Sequence, residues 1–291
     1  MINFAFFGTD EFAVIILDEL KKGGMVPTTI ISVPDKPKGR KLILTPPPVK
    51  VWAEKNKVNL AQPISLKASG PEIVKHSVFN NRRPELFVVA SYGKIIPQGI
   101  LEIPTRGTLN VHPSLLPKYR GPSPIQTAIL NGDQETGVTI MLLDEEVDHG
   151  AIVAQESFQI TSDKLQENTD TYLELRDKLA QIGGALLTKT IPDWVSGKIE
   201  AKEQDHDAAT FTKIIEKENG KITLEDIENK PEETYRKFLA YILWPGLYFF
   251  DQQGKRIKIT AASFQNAKLT IEKIIPEDKS EMTWKAYKLG R

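Results

Sequence analysis

Two short stretches hold residue types that can move protons or steady a negative charge. The first is Leu109-Asn110-Val111-His112-Pro113-Ser114-Leu115-Leu116-Pro117-Lys118-Tyr119-Arg120-Gly121. Side chains alternate faces along a strand, so Asn110 and His112 share one face. A carboxamide donates to an oxyanion as it develops, and an imidazole can donate as well or carry the proton. That pair suits acyl transfer. On spacing alone, an asparagine in a turn and a capped histidine before Pro113 explain the pair just as simply. The second stretch is Leu143-Asp144-Glu145-Glu146-Val147-Asp148-His149-Gly150. Gly150 permits a tight turn that would push the Asp148 carboxylate into a cleft. Beside His112, that carboxylate would orient the ring and raise its basicity. An acidic surface loop is the alternative. His149 would point away from Asp148 in a turn or strand. Asp148, His149 and His112 make a poor chelate, because only one neighbouring pair is offered at strand spacing, and no metal is expected.

Elements that could present these residues are legible around them. Ile2–Phe7 reads as a buried strand closed by Gly8-Thr9, Phe12–Lys22 as a helix, and Thr28–Val33 as a β-branched strand. Strand, helix, strand over this length is a βαβ unit and implies a parallel sheet. Leu86–Ala90 is a further buried strand turning at Ser91-Tyr92-Gly93, and Gly107–His112 is another. His112 therefore falls at a strand's carboxyl end, the side on which open α/β sheets bind ligands. Gly137–Leu143 alternates as a half-buried strand, Val49–Asn56 is helical, and Thr171–Thr188 is an amphipathic helix. Pro34 to Pro48 breaks the pattern with five prolines and the cations Lys36, Lys38, Arg40 and Lys41. It reads as a long exposed loop, a kind of segment that is usually functional or disordered. A dinucleotide site is set aside: Gly8 follows the first strand, but no G-x-G-x-x-G does, and Asp10 and Glu11 would repel a pyrophosphate.

Beyond residue 190 the composition shifts. Ile191–Ala209 is polar and reads as a linker. A helix over Pro231–Tyr241 follows, then strand-like Gly246–Phe250 and Ile257–Ala261 around the turn Asp251–Gly254, and a strand over Lys268–Ile275. The expected fold is α/β: a mostly parallel twisted sheet with flanking helices over 1–190, a linker over 191–209, and a small β-rich domain over 210–291.

Composition narrows the chemistry. The chain has no cysteine, which excludes disulfides, thiolate zinc sites and a cysteine nucleophile, and fits a reducing cytosol. Its 38 basic and 38 acidic residues cancel, yet residues 1–100 carry 14 basic against 8 acidic side chains while 101–200 carry 8 against 15. Basic ends could meet a polyanion, though a solvated surface fluctuates as much. The first residues show no basic run ahead of an apolar stretch, so they read as a strand rather than a signal peptide. No segment approaches the length of a membrane span, and no membrane partner is expected.

Together these segments resemble the 10-formyltetrahydrofolate-dependent formyltransferases. The family pattern is Asn-x-His, Ser-Leu-Leu-Pro, Arg-Gly and a later Asp-x-Gly. It stands here as Asn110/His112, Ser114–Pro117, Arg120-Gly121 and Asp148/Gly150. The resemblance implies Asn110, His112 and Asp148 as catalytic residues and 10-formyltetrahydrofolate as formyl donor. It also implies a folate pocket lined by Ser114, Leu115, Leu116, Pro117, Tyr92, Gly93, Ile95 and Ile96. Further segments look like the methionyl-tRNA branch: Phe7–Ala13, Pro34–Arg40 with Pro47–Lys50, Gln62–Lys67, Ala90–Pro97, Trp244-Pro245-Gly246 and Lys279–Trp284. For that branch the expected partner is initiator methionyl-tRNA, gripped by Lys36, Lys38, Arg40 and Lys41, with the chain working as a cytoplasmic monomer. Amino sugar nucleotides are the rival acceptor, since sugar formyltransferases share the catalytic trio. A formyltetrahydrofolate hydrolase and a non-enzymatic RNA-binding protein are weaker rivals, the first having no use for a basic loop, the second none for an intact trio. The family's carboxyl-terminal domain is OB-like. Here a strand pair is missing from it, so a shortened version is expected, along with a reduced tRNA surface. His149 stands where the family more often has a small residue.

Overall fold

The computed structural model of the chain describes residues 2–39, 41–66, 79, 83–160 and 170–289. These fall into two compact units. The first comprises Met1–Arg120, Gly137–Ser157 and Asp177–Thr210, and the second Gly121–Thr136, Phe158–Arg176 and Phe211–Arg291.

The first unit is built on a seven-stranded sheet. Its strands are β1 (Phe4–Gly8), β2 (Thr29–Ile31), β5 (Asn59–Ala61), β6 (Leu86–Ala90), β7 (Thr108–His112), β8 (Glu135–Leu142) and β9 (Ile152–Gln159), in the order β5-β2-β1-β6-β7-β8-β9. From β5 to β7 all pairs are parallel; β7 and β8 run antiparallel, with His112 opposite Thr139. The chain builds outward from β1 to β5, then returns to place β6 on β1's other side. That reversal opens a crevice at the strands' carboxyl ends. The segments leaving β1 and β6 are tied there. Thr9 Oγ1 donates to the Tyr92 carbonyl at 2.7 Å, and Ser91 Oγ donates to Asp10 Oδ2 at 2.6 Å. The other Asp10 oxygen caps helix α1 (Glu11–Lys22) at the Ala13 N–H, as an N-cap aspartate should.

One face of the sheet buries Ala5 and Phe7 of β1 with Phe87 and Val89 of β6, Tyr92 and Ile100. Phe7 meets Phe87 and Tyr92 edge-on at 5.0 and 5.4 Å. Elsewhere the long helix α5 (Tyr172–Val195) lies against β7 and β8 through Gly183. A Cβ there would come within 2.8 Å of Val111, and one on the next residue, Gly184, within 2.5 Å of Glu19 on α1. The two glycines let the helix sit close to both neighbours, at some cost in helix propensity.

Three expectations change. Pro34 to Pro48 is not irregular throughout: β3 (Lys36–Lys38) and β4 (Ile43–Thr45) pair antiparallel, Lys36 opposite Thr45. Prolines are tolerated on such a two-edged ribbon, because each strand needs only one hydrogen-bonding side. Gly137–Leu143 is not half-buried. β8 is interior to the sheet, and Thr136 to Met141 are all buried. Helix α5 outruns its expected end, passing Pro192 to Val195, so Ile191–Val195 is helical rather than linker. The rest of that stretch is held by hydrogen bonds, including a reciprocal pair between Ile152 and Lys202. Helices α2 (Pro48–Asn56) and α3 (Gln98–Leu101) complete this unit.

In the second unit, helix α4 (Pro124–Asn131) packs on α7 (Pro231–Ala240), which follows the short α6 (Leu224–Asn229). A four-stranded sheet has the order β10 (Tyr248–Phe250), β11 (Arg256–Gln265), β12 (Lys268–Pro276), β13 (Met282–Thr283), and helix α8 (Trp284–Leu289) follows. Tyr235 of α7 stacks on Phe264 of β11 at 5.5 Å, and Trp284 meets Phe249 edge-on at 5.9 Å. The β11 strand runs beyond Ala261 through a bulge, and its hairpin turns at Asn266-Ala267, both with positive φ.

Candidate active site

The β7 strand delivers Asn110 and His112. Asn110 is half-buried, and its side chain makes no hydrogen bond among the described residues. Its amide is therefore available to a ligand. His112 is only 4% exposed. Its Nε2 lies 2.9 Å from the Tyr119 carbonyl. A carbonyl only accepts, so Nε2 carries a hydrogen and the ring's other nitrogen, Nδ1, is the one open to protonation. Nδ1 faces Asp148 Oδ2 at 3.5 Å, ion-pair reach but longer than an ordinary hydrogen bond. The structure thus brings His112 and Asp148 together across 36 residues of sequence.

Asp148 is held in the left-handed region, φ 49°, which Asn and Asp tolerate better than other L-residues. Gly150 follows because nothing larger fits: a Cβ would collide with the Leu142 carbonyl. His149 points the other way, its Nδ1 2.7 Å from Asp144 Oδ2 and its ring stacked on His206 at 4.1 Å. So His149, His112 and Asp148 do not converge.

The Ser114–Pro117 segment is anchored through its main chain. Thr139, in register with His112, accepts from the Leu116 N–H at 3.1 Å and donates to the Ser114 carbonyl at 2.7 Å. Gln155 donates to the Leu116 carbonyl at 2.8 Å, and Ser114 Oγ closes the turn on the Lys118 carbonyl. The Leu116–Pro117 bond is cis. Leu115 packs where β8 has Gly137. Tyr119, Thr139 and Gln155 were not legible as site residues. Their partners lie 7 to 39 residues away, and three of the contacts use main-chain carbonyls.

The Tyr92–Ile96 segment divides. Gly93 turns with φ 74°, Ile95 projects to solvent, and Ile96 packs on the core beside Tyr92. The Tyr92 ring is buried, and its hydroxyl has no hydrogen-bond partner among the described residues. Burial pushes the phenol up to about 12 from 10.0. An acid whose pKa is raised by folding contributes stability that is intact below the unfolded value and lost between about 10 and about 12. Tyr92→Phe is therefore expected to be as stable as the parent, or more so by about 1–3 kcal/mol, since it removes an unpaired buried hydroxyl. Its urea midpoint should fall less steeply than the parent's between pH 10 and 12. Identical slopes for the two proteins would refute this.

A cavity of about 350 Å³ opens beside the Asp148 loop, lined by Leu101, Thr108, Leu142, Leu143, Asp144 and Gly150 among others. That volume suits a small organic ligand, with apolar walls and a few polar groups. Its lining takes Gln98 and Leu101 of α3 instead of Tyr92–Ile96.

The β3–β4 ribbon, a separate two-stranded sheet, exposes Lys36, Lys38 and Lys41, while Arg40 lies outside the described residues, as does Lys67. Lys36 and Lys38 sit two apart on one strand and share a face. Lys50 is engaged elsewhere: it pairs with Asp35 at 2.8 Å, which raises the Lys50 pKa and lowers that of Asp35. Leu42, Ile43 and Leu44 at the ribbon's tip are 63 to 72% exposed, a feature that sequence reasoning missed.

The chain resembles known proteins along most of its length. The chain is 39% identical over 258 residues to methionyl-tRNA formyltransferase from Halalkalibacterium halodurans, an alignment covering 89% of this chain and 77% of that one. Among solved structures, a 4-N formyltransferase from Francisella tularensis superposes with a TM-score of 0.67 at 21% identity, covering 90% of this chain and 98% of the other. An N-formyltransferase from Helicobacter canadensis, crystallised with folinic acid and dTDP-3-aminofucose, superposes with a TM-score of 0.63 at 21% identity, covering 91% and 89%. The family model described as formyl transferase matches residues 2–191, the span that carries Asn110, His112 and Asp148, and the chain belongs to that family.

Proposed function

We propose that the chain transfers the formyl group of 10-formyltetrahydrofolate to the α-amino group of methionyl initiator tRNA. The observation that carries the acceptor is the 39% identity to a methionyl-tRNA formyltransferase across 89% of the chain. When bound, the folate supplies the formyl carbon. The cavity beside Asp148 fits its flat heteroaromatic ring: Leu101, Leu142 and Leu143 offer apolar walls, and Asp144 a carboxylate for ring N–H groups. The amine attacks in its neutral form. Asn110 donates to the formyl oxygen as negative charge builds on it, and His112 donates from Nδ1. Asp148 holds the charge on that imidazole and, through water, would help pass the amine's proton to N10 of the folate, whose bond to the formyl carbon breaks so that tetrahydrofolate and the formylated amine leave. An amine is already a competent nucleophile, so the chain's work is positioning and charge stabilisation. The same reading implies work at translation initiation in the cytoplasm, as a monomer. Among the described residues no helix is long and apolar enough to cross a membrane.

The ribbon supplies the grip on tRNA in this reading. Lys36, Lys38 and Lys41 are exposed on it, next to three exposed aliphatic side chains. Binding a polyanion releases counterions, so each phosphate contact steepens the salt dependence by about 0.7–0.9 in log–log slope. Lys36→Ala combined with Lys38→Ala should flatten the slope of kcat/KM for charged tRNA by about 1–2 while leaving the folate KM within about two-fold. A salt series on both substrates checks this, and an unchanged slope would remove the ribbon from the tRNA surface.

The decisive assay is a single turnover from 10-formyltetrahydrofolate, with initiator methionyl-tRNA, a non-formylatable charged tRNA, an amino sugar nucleotide, or water as acceptor. Tetrahydrofolate release is expected only with the first. Release with the sugar nucleotide instead would replace the reading by its rival.

A further inference from the structure

The Asp148 loop has no regular structure of its own, yet it must present one carboxylate to His112. The side chain that holds it comes from residue 204, in the polar stretch after α5. Gln204 is 5% exposed. Its Nε2 donates to the Asp148 carbonyl at 3.0 Å and to the Gly150 carbonyl at 2.7 Å. Its Oε1 accepts from Arg120 Nε at 3.1 Å and Nη2 at 2.7 Å. A carboxamide has two N–H groups and two lone pairs, and here all four are used. The orientation of the amide is fixed by chemistry, because arginine only donates and carbonyls only accept. Arg120, itself 4% exposed, is held by Gln204 and by His206 Nδ1 at 2.8 Å.

Nothing in the loop's own sequence compels this geometry. Asp148 sits at φ 49°, a conformation that costs a non-glycine residue free energy unless its surroundings impose it. The two bridged carbonyls flank His149, so Gln204 grips the turn on both sides of the peptide that aims Asp148. We propose that Gln204 is a positioning residue for catalysis: its amide, set by Arg120, fixes the backbone of Asp148 and Gly150 and thereby the approach of the Asp148 carboxylate to His112. This rests on the reading of Asp148 given above.

Gln204→Glu separates the two halves of the device. A carboxylate keeps the length and still accepts from Arg120, now as an ion pair, but it has no hydrogen to give either carbonyl. The Asp148 loop is released while Arg120 stays partnered. A shift of the order of 1 Å in a reacting group costs roughly 100-fold. Turnover is therefore expected to fall ~10–100-fold, with KM for folate and for tRNA within about two-fold. The double-substitution cycle with Asp148→Asn tests the route of the effect. If Gln204 acts only through the Asp148 carboxylate, Gln204→Glu should cost little in the Asp148→Asn background. An equal loss in both backgrounds marks a merely structural role and overturns the proposal, as does wild-type turnover of Gln204→Glu. Should Gln204→Glu not fold, Gln204→Met, which keeps length without donors, enters the same cycle with the same expected outcomes. The parent reading fails separately: a fully active Asp148→Asn would sink the role of Asp148, whereas a crippled Asp148→Asn with an active Gln204→Glu would sink the role of Gln204 alone.

Discussion

Asn110→Ala should lower turnover by about 10²–10³-fold, and His112→Ala by at least as much, with folate affinity within a few-fold of the parent. Both groups act on charge that exists only when the formyl carbon is under attack. Their removal therefore weakens binding of the transition state far more than binding of the substrate. The two replacements differ in what else they disturb. Asn110 is half-buried and its side chain makes no hydrogen bond among the described residues, so truncating it should leave the melting temperature nearly unchanged. His112 is buried and donates to the Tyr119 carbonyl, and truncating it strands that acceptor at a cost of about 1–3 kcal/mol. Rates must therefore be compared well below both melting temperatures. Pre-steady-state formyl transfer with initiator methionyl-tRNA, alongside equilibrium folate binding, separates the steps. An Asn110→Ala enzyme within three-fold of the parent rate would end the claim that this amide serves the reacting oxygen.

Much of the first unit was legible because its signals are local. Buried runs such as Phe4–Gly8 and Leu86–Ala90 are long enough, and β-rich enough, to declare themselves as strands. Strand alternation puts Asn110 and His112 on one face, but their reading as a reacting pair comes from the family resemblance. Pairings across the sequence were not legible. The turn at Asn266-Ala267 lacks the glycine that usually marks a tight hairpin, so the β11–β12 hairpin could not be joined in advance. The β3–β4 ribbon was obscured by its prolines, which speak against strands unless both are edges. Gln204 lies 54 and 56 residues from the carbonyls it holds, in a stretch whose polarity reads as linker. A buried glutamine and an exposed one look alike in sequence; only the fold shows that Arg120 is waiting for it.

The same geometry makes Asp148→Asn the sharper test of the charge in the site. An amide has the shape of the carboxylate, and asparagine accepts φ 49° at least as readily as aspartate, so the turn should survive. The Asp148 main-chain carbonyl also keeps its bond from Gln204, because that bond does not involve the side chain. What changes is the partner offered to His112. The Tyr119 carbonyl requires a hydrogen on Nε2. A hydrogen on Nδ1, which the Asp148 carboxylate faces, is the one that can be given to the reacting oxygen. An amide can turn its own N–H toward Nδ1, and the ring is then locked neutral with Nδ1 as acceptor and nothing left to donate. The variant loses the proton acceptor and the imidazole's donor together, although every heavy atom stays in place. Loss of a positioned acid–base group is worth about 10²–10⁴-fold, and turnover should fall within that range. Folate binding and melting temperature should stay close to the parent's, and no large change in tRNA KM is expected. The nitrogen chemical shifts of His112 give an independent readout: in Asp148→Asn, Nδ1 should report a bare acceptor and Nε2 a bonded N–H at neutral pH. If Asp148→Asn turned over within three-fold of the parent, the carboxylate would be an ordinary surface-loop charge that happens to lie 3.5 Å from the ring.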